Sequence, residues 1–167
     1  MTIPAELTIV FESFDRNARV NRATLATLSM DDLTYGDGVG GFNIGQHLAD
    51  IVNFRPDWLK RVSPEHAARV TDVTDGSDTW LKVKSIAELQ AAFDEGDAAM
   101  RDAVLDAVRE SRSFKGVYET HPAHLMQHCI VHDSHHRGQI LALLRQAGRS
   151  PEERERLESA SWPIWRE

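Results

Sequence analysis

Apolar residues recur at alternating steps of four and three along four stretches of the chain, and no run alternates apolar with polar in the two-residue rhythm of a strand. The first stretch, from about Pro4 to Met30, carries Leu7, Phe11, Phe14, Ala18, Leu25 and Leu28 on one stripe, with Asn21 filling the remaining place in the seam. The second opens at Asn43, a good N-cap, and carries Ile44, His47, Ile51, Phe54 and Trp58, with a kink expected at Pro56. A capping box from Ser85 to Glu88 starts the third, which continues through Leu89, Phe93, Gly96, Met100, Ala103 and Ala107 to about Glu110. The fourth runs from Pro122 to Ala147, has Gly148 as its candidate cap, and shows Leu125, Cys129, His132, His136, Gln139 and Leu143 on its stripe. Four amphipathic helices without strands predict an all-α fold, a four-helix bundle. The connection from Ser63 to Lys84 is long enough to hold a crossover or short extra structure. The apolar tail Trp162-Pro163-Ile164-Trp165, which follows the charged run Pro151 to Glu158, is expected to pack on the bundle.

Composition narrows the function more than the fold. With 26 acidic and 19 basic residues among 167, the net charge is -7, which speaks against a nucleic-acid partner. No apolar run approaches the roughly 18 residues of a membrane span, and acids stand near the start where a secretory leader would be basic. A cytoplasmic protein of one domain, residues 1–167, with no membrane partner is the expectation. The single cysteine, Cys129, excludes an internal disulfide. Histidine is the unusual component: the chain has eight, six of them between His121 and His136.

The stripes bring Asn21, His47, His132, His136 and Gln139 toward the interior, where polar side chains need partners. His132 and His136, four positions apart, lie about 40 degrees apart on one helical face, so both rings can reach one ion. His47 interrupts the apolar stripe of another helix and is the candidate third ligand, because bundles build metal sites from facing helices. Three imidazoles suit zinc, nickel, copper or iron and leave at least one coordination position open for chemistry. His128, one turn before His132, fits either a group supporting a ligand ring or an alternative ligand, and the first is expected. Gln139 is expected to orient a ligand ring or a substrate. Cys129 is read as core packing ahead of ligand or nucleophile. Arg137 lies off the stripe and reads as an ion-pairing or interface residue, Asp133 as turned away from the ligand face, and His66 as a loop residue.

The run His132-Asp133-Ser134-His135-His136-Arg137-Gly138-Gln139-Ile140 resembles the H-x-x-H-H-R-G-Q-I signature of the DinB/YfiT-like family of metalloenzymes. Phe42-Asn43-Ile44-Gly45-Gln46-His47-Leu48-Ala49-Asp50, with Trp58-Leu59, is similar to that family's second-helix motif, whose histidine is the third ligand. Asn17-Ala18-Arg19-Val20-Asn21 is similar to the first-helix motif, with Arg19 where an aromatic is usual. The resemblance spans about Phe11 to Gly148. It implies a four-helix bundle, often a homodimer, holding a divalent ion, commonly zinc or nickel, on residues matching His47, His132 and His136. Members with known chemistry include metal-dependent transferases of mycothiol or bacillithiol and a maleylpyruvate isomerase.

Three functions compete. A transferase would add a low-molecular-weight thiol to an electrophilic small-molecule substrate, using the ion to lower the pKa of the bound thiol, with His128, Gln139 and Asn21 near the ligands or the substrate. A metallohydrolase would activate water instead, with Asp50, three residues after His47, as the available carboxylate. A non-catalytic metal-binding or ligand-binding dimer in a stress response is the third.

Overall fold

The structure is a computed structural model and describes residues 3–167, apart from the side chains of Glu6 and Arg154. Four long helices form the body: α1 (Thr8–Leu25), α2 (Ile44–Val62), α4 (Ile86–Arg109) and α5 (His124–Gln146). A one-turn helix, α3 (Pro64–Ala67), follows α2, and α6 (Pro151–Trp165) follows α5. Both α1 and α2 pack against α4 and α5, which puts α1 and α2 at opposite corners of the bundle. α6 lies against α1 and touches α5. Among the described residues there is no strand, and no helix is long and apolar enough to cross a membrane.

Local chemistry sets the ends. Asn43 caps α2, its side chain accepting from the Gln46 N–H while the Gln46 side chain accepts from the Asn43 N–H. Ser85 likewise accepts from the Glu88 N–H, but Glu88 returns to the Lys84 N–H, so the expected box is made one residue early. α1 ends at Leu25, short of Met30. There Asp32 accepts from both the Ser29 N–H and the Ser29 hydroxyl, and this local bonding competes with the helix. Gly148, at φ 77°, ends α5 in the left-handed region that glycine adopts without strain. The 63–84 connection holds α3 and a single antiparallel bridge, Thr74 to Leu81, and α2 runs on through Pro56.

A small apolar cluster of Leu59, Ala67, Ala99 and Ala103 joins α2, α3 and α4, and two larger ones stand at opposite ends of the bundle. One gathers Phe11, Phe14, Phe54, Met100, Leu125 and Met126, the other Leu25, Ile44, Leu48, Phe93, Ile140 and Leu144. On α1, α4 and α5 the residues between them in sequence include the buried polar groups Asn17 and Asn21, Asp97, Asp133 and His136, and on α2 the buried Arg55 directly follows Phe54. A polar layer therefore crosses the middle of the bundle. In the tail Ile164 is buried on the bundle as expected, as is Leu157 of the charged run before it, but Trp162 is 60% exposed. Leu157 and Ile164, seven apart, share the inner face, while Trp162 stands at the rim, beside a cavity between α1, α5 and α6.

Candidate metal centre

α2 and α5 bring two of the three candidate ligands into contact. His47 and His136 are both buried, and their Nδ1 atoms stand 3.0 Å apart. His132 lies beside them, its ring centroid 4.6 Å from that of His136 and 4.5 Å from that of Phe54, and its side chain is a quarter exposed. Its Nδ1 is buried with no hydrogen-bond partner among the described residues. Asp133 Oδ1 is 3.8 Å away, beyond hydrogen-bond reach. As the side chains stand, no three His, Cys, Asp or Glu among the described residues are grouped to hold an ion.

Electrostatics keep the paired rings neutral. Burial pushes His136 down to about 4, with the neighbouring His132, His47 and His135 adding to the effect. Burial lowers His47 as well, partly offset by Asp50. Neutral imidazoles carry the free lone pair that a metal needs. Asp50 Oδ2 is 3.8 Å from His136 Nε2, and burial raises its pKa against the pull of His132 and His47. The donor chemistry and the unpartnered nitrogen of His132 fit a divalent ion.

The other sequence candidates fall in several places. His128 is exposed, its Nδ1 2.7 Å from the Tyr118 hydroxyl and its ring edge-on to Phe54 and Trp58. Gln139, expected inside, is exposed, and Asp133, expected to turn away, is completely buried. The inner stripe of α5 is Met126, Cys129, Asp133, His136, Ile140 and Leu143, not the one through His132 and Gln139. Asn21 is buried and faces Asp133, not the histidines. Cys129 packs in the core, where burial raises its thiol pKa. His66 is no loop residue: it is buried in α3, Nδ1 2.7 Å from Ser63 Oγ.

Sequence reasoning missed the network beneath the histidines. Arg55, fully buried, donates from Nη1 and Nη2 to the two Asp133 oxygens at 2.7 Å each, from Nε to Asp97 at 2.9 Å, and from Nη1 to the Ile51 carbonyl. Asn17 and Asn21 donate to Asp133 Oδ2 at 2.7 and 2.8 Å. Arg137 donates from Nη1 to both asparagine oxygens, at 2.8 and 2.5 Å. Two cations and two carboxylates thus share one connected cluster, the condition under which buried charge is tolerated. Gly96 makes room for it: a Cβ there would lie 3.0 Å from Arg55 Cβ. The signal was present in the 4,3,4 steps of Ile44, Leu48, Ile51 and Arg55, which put an arginine on an apolar stripe.

An all-helical bundle with a paired-histidine centre above a buried ion network is the class defined by this fold and site. The family model of the DinB family matches residues 4–167, and the chain belongs to that family. The match continues through the tail, beyond the Phe11 to Gly148 span of the motifs. No curated protein and no solved structure matches the chain.

Proposed function

We propose that the protein is a divalent-metal enzyme that adds a low-molecular-weight thiol to an electrophilic small molecule, with His47, His132 and His136 as ligands and zinc or nickel as the ion. The observation that carries the reading is the meeting of two neutral imidazoles from facing helices, Nδ1 to Nδ1 at 3.0 Å, beside a third ring whose buried Nδ1 has no hydrogen-bond partner among the described residues. The chemistry supplied by such an ion is the lowering of a coordinated thiol's pKa. Asp50 is placed to accept the proton that the thiol gives up. Phe54 and Trp58 line the side of the histidines toward His128 with apolar ring surface. The buried, protonated thiol of Cys129 supplies no nucleophile. Asp50 also favours a second reading, hydrolysis, in which the same carboxylate takes a proton from water. A homodimer belongs to the proposal and is supported by Ile9 and Val131, 75% and 68% exposed along one groove between α1 and α5.

Metal analysis of the purified protein tests the ligands: about one ion per chain is expected, with loss in His132→Ala, His136→Ala and His47→Ala. Full occupancy in the first two variants would overturn the assignment. Cobalt-substituted protein tests the reaction class. Cysteine added as the probe thiol should produce a sulfur-to-cobalt charge-transfer band in the parent and in Cys129→Ala. A spectrum that responds to azide but to no small thiol would favour the hydrolase or a non-catalytic binding protein. Light scattering reads the dimer.

A further inference from the structure

A cavity of about 340 Å³ lies between α1, α5 and α6, on the flank of α5 away from the histidines. The α5 residues lining it, Ser134, Arg137, Gly138, Leu141 and Arg145, follow the 3,4 rhythm of a face roughly opposite His132 and His136. Its volume falls in the range of small-molecule sites. Trp162 and Trp165 of α6 supply flat apolar surface, and Leu157 and Val20 extend it.

The charged groups on this wall differ in how far their hydrogen-bond donors are used. Arg145 Nη2 is held by Glu158 at 2.8 Å, so that pair is neutral as a unit. Arg137 is different. A guanidinium has five N–H groups, and the two on Nη1 go to Asn17 and Asn21. Nε and Nη2 make no hydrogen bond to another described residue, which leaves three N–H donors on a largely buried cation lining the cavity. A planar two-oxygen acceptor is the complement of such a fork.

We infer that this cavity binds a small organic carboxylate, its carboxylate on Nε and Nη2 of Arg137 and its apolar, preferably aromatic, body against Trp162 and Trp165. The site is separate from the proposed metal centre and does not depend on it. α6 is its outer wall, so the ligand would also fasten α6 to the bundle.

Benzoate is the probe, benzamide its neutral counterpart of the same shape, and tryptophan fluorescence of the full chain the readout. Benzoate should give a saturable change that is lost in Trp162→Ala/Trp165→Ala, and benzamide should bind at least tenfold more weakly. Arg137→Met should abolish binding but also removes the Asn17 and Asn21 contacts. Gly138→Leu is therefore measured beside it. A Cβ at Gly138 meets nothing within 4 Å and the position lines the cavity, so a leucine there can extend into it without a clash at Cβ, and circular dichroism checks that the variant is folded. Loss of benzoate binding in folded Gly138→Leu supports the inference. Equal binding of benzoate and benzamide, unchanged binding in Gly138→Leu, or no saturable change in the parent overturns it.

Discussion

Arg55 on α2 and Asp133 on α5 form a two-point ion pair with both side chains fully buried, and Asp133 lies one turn before His136 on the same inner stripe. The pair ties together the two helices that carry all three candidate ligands. Geometry at the histidines is thus inherited from a charge network that touches neither His47 nor His136 by a hydrogen bond.

Removing one partner leaves the other as an uncompensated buried charge, which costs about 3–5 kcal/mol. Arg55→Met and Asp133→Leu should each be destabilised on that scale in urea unfolding. The double variant should recover part of the loss, since an apolar pair of similar volume avoids the desolvation cost. A double variant whose losses simply add would show that the two side chains do not act as a unit.

One guanidinium serves two carboxylates, and they titrate in opposite directions. Asp133, with both oxygens on Arg55, is held well below the usual carboxylate range, although burial opposes this. Burial pushes Asp97 up to about 6, against the pull of Arg55. A carboxylate whose folded pKa is raised weakens the fold as pH rises from its unfolded value, about 3.9, through the folded one. Between pH 4 and 6 this contribution should fall by about 2–3 kcal/mol in the parent and be absent in Asp97→Asn. The Asp133 contribution has the opposite sign: it is present above pH 4 and lost on acidification below it. Urea midpoints at pH 4, 5 and 6, in chelator, check Asp97, and midpoints at pH 2 and 3 check Asp133.

Two helical glycines should respond oppositely to alanine. At Gly96 the new methyl meets Arg55 Cβ and Cγ at 3.0 and 3.1 Å, so Gly96→Ala should destabilise by about 1–3 kcal/mol. At Gly138 there is open space, and Gly138→Ala should stabilise by about 1 kcal/mol through helix propensity. Thermal melts of the two variants decide it.

Chelation should spare the fold. The apolar clusters and the ion network do not depend on the histidines, so far-ultraviolet circular dichroism in excess chelator should keep its helical signal at room temperature. Collapse of that signal would assign any bound ion a structural role.

Helix identity and capping were legible because they are local: Asn43, Ser85 and Gly148 stand where the structure uses them. The inner face of α5 was not. His132 and Gln139 fit a 3,4 stripe as well as Asp133 and Ile140 do, and choosing between adjacent stripes requires knowing that Asp133 has a partner. Arg55 supplies it from 78 residues away, and such pairing is a property of the packed bundle. The histidine motif was readable from spacing alone, whereas the role of Arg137, joined to α1 through Asn17 and Asn21, needed the fold.

α6 is joined to the rest of the chain differently from the other long helices. Among the described residues only Leu157 and Ile164 of it are buried apolar groups, while Arg145–Glu158 and Arg149–Glu153 hold it from outside and Arg19–Glu167 pins the chain just beyond its end. Ion pairs of this exposure contribute little each and weaken with salt. Its amide hydrogens should therefore exchange with deuterium by local detachment, faster at high ionic strength, while those of α2 and α5 wait for global opening. The terminal helix would behave as a hinged cover whose opening leaves the histidine centre undisturbed.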